Sequence, residues 1–479
     1  MRPFISLLIA TTLLGACSLD PDYRRPDAPV ADRFPDGPAY PQANAAAPAV
    51  PADAIGWRDF FRDPQLQALI EIALRNNRDL RVSVLNVAAA QAQYRIQRAD
   101  LFPTVALTGS ENTVGFPKNG SGGSAPALAG KTATVFTAGL GVTSFELDLF
   151  GKAASESRSA FEQYLGLEET RRSAQISLVA QVATAYLTLL GDRQLLKLTQ
   201  DTLTSQTQSY NLTKMTLNVG TATALTLRQA ETTVATAQAN LAQYTRQVAQ
   251  DENALALLIG QPLPADLPPG RDLDGQILAA LPAGLPSDVL TRRPDIMAAE
   301  HNLLAANASI GAARAAFFPS ISLTASAGKS STRLSTLFTG PANAWSFAPQ
   351  VVVPIFTGGA NVANLDLAKV QKNTQIAEYE KAIQTAFREV ADALAAQGTY
   401  GDQLRAQRTL VDANADSYRL AMMRFRTGVD SFLTTLDSER SLYASQQSLI
   451  VAQLANRISE VTMYKVLGGG WNEHTPAAP

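Results

Sequence analysis

Cysteine is nearly absent. The 479 residues hold one, Cys17, so no disulfide can form within the chain. The only two histidines, His301 and His474, stand far apart and in no ligand-spaced cluster. A His/Cys metal centre is thereby excluded, and neither metal nor cofactor is expected. His301 reads as an ordinary helix-surface residue. Charge is scarce too: Lys and Arg number 40 against 42 Asp and Glu, a net charge of −2. That balance leaves no basic surface for nucleic acid or for a polybasic grip on membranes. There is no phosphate-binding glycine loop, since Gly151-Lys152 lacks the rest of the motif, and no Gly-x-Ser-x-Gly elbow. Glu168-Glu169 lies in a long helical stretch and reads as solvated charge. An enzyme is not expected. What remains is mainly Ala, Leu, Thr, Ser, Gln and Val. That mixture is too apolar for a disordered chain, yet richer in small polar residues than a dry core needs.

The N-terminus carries a targeting signal. Arg2 precedes an apolar run, Phe4 to Leu14, of signal-peptide length and too short to span a bilayer as a helix. Leu14-Gly15-Ala16-Cys17 then resembles a bacterial lipobox. Residues 1–16 are expected to be a lipoprotein signal peptide. Cys17 would be diacylated, become the new N-terminus and receive a third chain, each buried CH₂ adding about 0.8 kcal/mol of anchorage. Ser18, where Asp would resemble an inner-membrane retention signal, favours the outer membrane. Residues 17–56, rich in Pro, Ala and Asp, read as a lipidated strap without a core of its own.

The rest is an internal duplication. Ala99-Asp100-Leu101-Phe102-Pro103 recurs as Ala315-Ala316-Phe317-Phe318-Pro319, offset by 216 residues. Tyr210, Gly220, Leu225, Glu231 and Gly260 recur as Tyr418, Gly428, Leu433, Glu439 and Gly468, all offset by 208. Repeat 1 spans residues 57–261 and repeat 2 residues 287–470, joined by an equatorial linker at 262–286 and followed by a tail at 471–479. Each repeat opens with a helix (64–100 and 294–317) that a Phe-Pro step breaks. Alternating residues follow, Thr104-Val105-Ala106-Leu107 and Ser320-Ile321-Ser322-Leu323, which is strand periodicity. Strands are expected at 103–115, 133–149, 319–329 and 344–356. Their length suits tilted transmembrane strands. Four strands cannot seal a barrel, and lipid does not tolerate an open edge. Three chains would supply twelve, an even-numbered closed barrel. The alternative is a pair of soluble hairpins on a globular domain.

Proline is missing between Pro126 and Pro262 and between Pro354 and Pro476. Uninterrupted helices are expected at 152–218 and 360–426, each about 100 Å long at 1.5 Å per residue. Helices so long need partners along their whole side, and the returning segments 223–258 and 431–467 provide them. Leu227, Val234, Leu241, Val248 and Leu255 repeat every seven residues, a coiled-coil packing seam. Small polar residues around a narrow seam suit a wall wet on both sides. Gly220-Thr221 and Gly428-Val429 mark the hairpin tips, where glycine accepts positive φ.

In this order the features resemble the outer-membrane efflux protein family, the TolC-like channels, and within it the lipoprotein branch of OprM and NodT. The residues that carry the resemblance, beside the lipobox, include Trp57, Asp63-Pro64-Gln65-Leu66, Asn76-Asn77-Arg78-Asp79-Leu80, Phe102-Pro103, Asp148-Leu149-Phe150-Gly151, Arg292-Arg293-Pro294-Asp295, Phe318-Pro319, Phe425-Arg426-Thr427-Gly428, Leu436-Asp437 and Leu467-Gly468-Gly469-Gly470-Trp471. The resemblance implies a mixed α/β membrane protein: an α-barrel tunnel of long antiparallel hairpins plus four strands of a trimeric twelve-stranded β-barrel. It implies a homotrimer held in outer-membrane lipid, with a periplasmic adaptor and an inner-membrane pump of RND type as partners. The function implied is a passive exit duct for small toxic compounds. Its tunnel would close at the periplasmic tips, and the positions that correspond to the family's closure are Phe425, Arg426, Asp430, Leu433 and Asp437. Leu433 or Leu436 would form an apolar constriction and Asp437 a ring of three carboxylates that attracts cations. Gly220, Thr221, Gly428 and Val429 would meet the adaptor. Where TolC has a tyrosine and an arginine in its gate, this chain has Phe425 and Asp430, which puts the closing weight on Arg426 or on apolar contacts. Two other readings stand beside this one: a duct for polypeptides in type I secretion, and a periplasmic coiled-coil scaffold without a pore.

Overall fold

The computed structural model describes residues 18–40, 52–117, 130–279, 292–339 and 341–476. Cys17, with its expected acylation, and residues 280–286 of the linker lie outside the described residues.

Both halves of the chain follow one order: helix, two strands, a very long helix and a returning helix. The first half opens with α1, Pro64–Asn76. Its start is fixed by Asp63, whose carboxylate accepts the N–H groups of Gln65 (2.8 Å) and Leu66 (3.1 Å), and by Pro64, which needs no N–H in the first turn. The single helix expected at 64–100 is in fact two. Asn77 ends α1, and its side chain then accepts the Leu80 N–H (2.8 Å), restarting the chain as α2, Arg78–Ala99. The same side chain donates to the Leu258 carbonyl (2.9 Å). An asparagine that caps forward and bonds sideways makes a corner.

After Phe102-Pro103 come β1, Val105–Gly115, and β2, Thr132–Leu147. Next is α3, Lys152–Asn218, returning as α4, Ala224–Ile259. The second half supplies α5, Pro294–Ala315, then β3, Ser320–Ser331, and β4, Asn343–Val352. It closes with α6, Ala360–Arg426, and α7, Phe432–Val466. α3 and α6 are each 67 residues long. Strand β4 stops at Val352, short of the expected 356, because Pro354 has no N–H for a ladder. α5 stops at Ala315, short of 317, where Phe317 and Phe318 tighten onto the Arg314 and Ala315 carbonyls.

The four strands form one antiparallel sheet in the order β1-β2-β3-β4. The halves are therefore stitched together at β2 and β3, from Phe136↔Ser331 to Leu147↔Ile321. Compaction follows that stitching rather than the repeats. One unit comprises Val87–Gly166 and Ala299–Tyr379 with the start of the chain up to Pro26; the other comprises Asp27–Asn86, Leu167–Ala298 and Glu380–Pro479. Each draws on both repeats.

The second unit holds the main core. Phe60, Phe61, Leu66 and Ile70 pack with Val182, Tyr186 and Leu187 of α3, Leu255 and Ile259 of α4, and Tyr464 of α7. Phe60 stacks on Tyr464 at 4.0 Å between ring centroids. The apolar stretch of α3 is thus a core segment. Along α4 the heptad of Leu227, Val234, Leu241 and Val248 is only half-buried. The fully buried positions are Ala230, Thr233 and Ala237, then Leu255 and Ile259. Close helix approach selects the small side chains, so the leucine stripe marks the edge of the seam. In the first unit His301 is half-buried rather than a free surface residue, with Nδ1 2.7 Å from Glu162 of α3.

Candidate functional site: a two-faced sheet and two hairpin tips

The ladder registers sort every strand residue onto one of two faces, because side chains alternate along a strand. One face carries Val105 and Leu107 of β1, Phe136, Leu140 and Val142 of β2, Ile321 and Leu323 of β3, and Trp345, Phe347 and Val351 of β4. The other carries Thr108, Ser110 and Asn112, then Thr137, then Ser322, Thr324, Ser326 and Ser330, then Ser346 and Gln350. The first face is apolar and the second is a field of hydroxyls. Those hydroxyls bond across strands: Ser110 with Thr137 (2.7 Å) and Ser326 with Ser346 (2.7 Å).

Neither face is covered by another element among the described residues. β1 and β4 are exposed along their whole length, and Leu107 and Trp345 are 80% and 81% exposed. Both are edge strands with no pairing strand on their outer side among the described residues. Apolar side chains on one face, hydroxyls on the other and two open edges describe a segment of barrel wall. The hydroxyl face carries one charged residue, Glu146, at the base of β2; Glu111 and Lys329 stand on the other face toward the loops, where the Lys329 Nζ donates to Asn343 (2.6 Å).

The passage from strand to helix is built as carefully. Ser144 takes φ of 54° at a register shift between Val142 and Phe145, a bulge that bends β2 at its base. Asp148 then caps α3 by accepting the Ala154 N–H (2.8 Å), and Phe150 stacks on Phe318 at 4.7 Å, tying the turn after β2 in the first half to the turn before β3 in the second.

The tips are a repeated turn. Gly220 has φ of 81° and Gly428 of 76°. In each, the glycine N–H returns to a carbonyl three residues back, Leu217 or Phe425, and the next N–H to one five back, Thr216 or Arg424. Thr221 and Val429 are exposed beside them. At the second tip the Asp430 carboxylate takes a two-pronged grip from Arg424, Nε at 2.5 Å and Nη2 at 2.9 Å. That guanidinium holds the Asp430 carboxyl below its ordinary range. Arg426, singled out from the sequence, is exposed and acts through its charge on Tyr418, without a grip on Asp430. The sequence reading missed Arg424; the spacing of six residues around a glycine turn was the available signal.

Of the two candidate constriction leucines, Leu433 is 41% exposed and Leu436 only 1%. Leu436 packs with Phe432 and Ala230, with Tyr210 and Phe425 against them. It is a core residue of the seam between the two hairpins. Phe425 lies in the same cluster, its ring 4.9 Å from Phe432. Asp437 is exposed and pairs with Arg440 at 3.2 Å.

The sequence profile described as "Outer membrane efflux protein" matches residues 69–261 and 285–469, two segments that together cover most of the chain. The chain belongs to the outer membrane efflux protein family. Among its relatives is the toluene efflux pump outer membrane protein TtgC of Pseudomonas putida, 52% identical over 477 residues, covering 100% of this chain and 97% of the relative. OprJ of Pseudomonas aeruginosa is 43% identical over 469 residues, covering 98% and 96%. The crystal structure of the open state of the Neisseria gonorrhoeae MtrE outer membrane channel superposes with a TM-score of 0.87 at 39% identity, covering 96% of this chain and 100% of that one. This efflux protein is accordingly a transport duct of the outer membrane and not an enzyme. It is the exit channel of an efflux pump, and its strands and long hairpins are the parts that three chains assemble into a barrel and a tunnel.

Proposed function

We propose that this efflux protein is the passive outer-membrane duct for small apolar and amphiphilic toxicants, driven by an RND-type inner-membrane pump through a periplasmic adaptor. The observation that carries the reading is the two-faced sheet. A hydroxyl face whose one charged side chain, Glu146, stands at its base offers a wet bore with no charge along the rest of the strands. The names of relatives specify toluene, solvents and antibiotics, which are solutes of this kind. The open edges of β1 and β4 require identical neighbours, so the working unit is a homotrimer.

Cys17 would carry the acyl anchor. The tips at Gly220, Thr221, Gly428 and Val429 would receive the adaptor. Leu433 and the carboxylates of Asp437, three of each per trimer, would narrow the entrance, with the Arg424–Asp430 pair stiffening the turn in front of them and Phe425 behind. The geometry favours Leu433 over Leu436, and Arg424 over Arg426, for these parts.

Conductance of the purified trimer in planar bilayers tests the gate: Leu433→Ala and Asp437→Ala should each pass more current than the wild type. Currents equal to wild type in both variants would remove the assignment. Deletion of the gene should sensitise cells to toluene, and complementation should restore growth. Unchanged tolerance, with loss of one exported polypeptide instead, would replace the proposed cargo.

A further inference from the structure

Glu439 is the group that neither the packing nor the gate explains. It lies on α7 about two turns beyond the start of that helix and is only 6% exposed. One carboxylate oxygen accepts from Ser205 Oγ of α3 at 3.2 Å. The other, Oε2, is buried and has no hydrogen-bond partner among the described residues. The same is true of Thr435 Oγ1, one turn earlier on the same face of α7, and of Gln206 Oε1, beside Ser205. Buried polar groups without a partner are costly, whether acceptors such as Glu439 Oε2 and Gln206 Oε1 or a hydroxyl such as Thr435 that both donates and accepts, and a buried carboxylate without a cation is more so.

Among the described residues no cation pairs with Glu439. Ser205 approaches from α3, Thr435 is on its own helix, and Tyr418 comes from α6. Arg440, the next residue, is turned to α4, where it reaches the Gln229 carbonyl (3.5 Å) and Thr232 (3.3 Å) while pairing with Asp437. Arg426 acts on Tyr418. Burial therefore pushes the Glu439 carboxyl above its ordinary range, with only the Ser205 hydroxyl opposing. The duplication supplies a control. The equivalent residue of the first half, Glu231, is half exposed and pairs with Arg228 at 2.5 Å. A repeat of this fold accepts a solvated ion pair at this position, so burial of an unpaired acid in the second half is not imposed by the fold.

We propose that Glu439 is a proton-operated latch between α7 and α3. Protonated, Glu439 has no charge to bury and brings an O–H that can be donated within the site, and the seam behind the second tip is fastened. Ionised, the carboxylate demands water, and α7 loosens from α3. The sign follows from linkage. A carboxyl whose folded pKa is raised holds a proton that the open form would release, so the closed seam is favoured in acid and weakened as pH rises through that raised value. Any effect on conductance rests on the gate reading; the latch itself does not.

The test is hydrogen exchange of peptides covering 199–210 and 432–443, measured from pH 5 to 8 on the detergent-solubilised full-length protein and corrected for intrinsic exchange. In the wild type, protection should fall about tenfold for each unit by which the closed-state pKa is raised. In Glu439→Gln, a neutral side chain of the same size, protection should stay at the acid level at every pH. Parallel profiles in the two proteins would overturn the proposal. So would weaker protection in the Gln variant, or its failure to assemble, since the neutral form is the one the seam is held to prefer. Exchange that follows sodium concentration at fixed pH would replace the proton by a bound cation. Bilayer currents recorded alongside separate the two readings: a pH-dependent seam with pH-independent current would leave the latch standing and remove the gate.

Discussion

Gly139 faces Gly328 across the β2–β3 ladder so closely that a Cβ built on Gly139 would lie 2.7 Å from the Gly328 Cα. Both glycines are on the hydroxyl face, and backbone so close leaves no room for a side chain. Glycine here lets the strands curl toward that face, as barrel closure demands. Gly139→Val should cost about 1–3 kcal/mol per chain through overpacking and abolish the heat-resistant trimer on gels. Gly115→Ala, which would meet nothing within 4 Å, should leave it intact.

The strap is fastened through its first residues. Asp20 accepts from Ser155 (2.6 Å) and pairs with Arg158, while the Leu19 carbonyl accepts from Arg314 (2.9 Å) and the Pro21 carbonyl from Asn307 (2.8 Å). A Cβ on Gly311 would intrude on the Asp20 carboxylate. Gly311→Ala should displace the clasp at a cost of roughly 1–3 kcal/mol, the scale of a lost charged hydrogen bond. Limited proteolysis should then cut within residues 18–40 several-fold faster, with assembly retained.

Arg293, 9% exposed, joins three partners: Asp295 (2.7 Å), Glu389 (2.8 Å) and the Val466 carbonyl (3.0 Å). Arg293→Ala should lose about 2–3 kcal/mol, because the carbonyl at the end of α7 is left without its donor. Arg293→Lys should recover only part of it, since an ammonium cannot reproduce the fork. Thermal dissociation of the trimer measures both.

Asp192 of α3 and Asp251 of α4 are two partly buried carboxyls that act on each other's titration, and burial raises both. Burial first, and the Asp192 carboxylate second, push Asp251 up to about 6. The folded protein binds the Asp251 proton more tightly than the unfolded chain, whose aspartates titrate at about 3.9. Stability from the pair is therefore full in acid, falls as pH passes from about 4 to 6, and is flat above. Asp251→Asn should raise the melting midpoint at pH 8 and leave it unchanged at pH 4. A rise of equal size at both pH values would remove the pair from the account.

Much of this architecture is written in local chemistry. Phe102-Pro103 and Phe318-Pro319 stop helices because proline lacks an N–H, and the alternation after them fixes strands. Gly220 and Gly428 announce the tips because only glycine takes their φ at no cost. The corner at Asn77 was less legible, since an asparagine inside a helical pattern is ordinary until its side chain finds the Leu80 N–H and the Leu258 carbonyl. Of the tip residues, Leu433 and Leu436 look alike in sequence. Three residues of helix turn one toward solvent and the other into the Phe432 cluster. The seam of α4 misled for a related reason: leucines draw attention, while close approach of helices buries Ala230, Thr233 and Ala237.

By itself the sequence determined the family, the duplication, the helix lengths and the existence of four strands, because each depends on periodicity, on proline and glycine, or on the order of short motifs. Only the tertiary structure decided that the sheet is stitched across the repeats at β2 and β3, that Leu436 is core, that Arg424 rather than Arg426 grips Asp430, and that Glu439 is buried while Glu231 is not. Those outcomes depend on which residues distant in the chain come within a few ångströms of one another. A pattern along one strand or one helix carries no record of that.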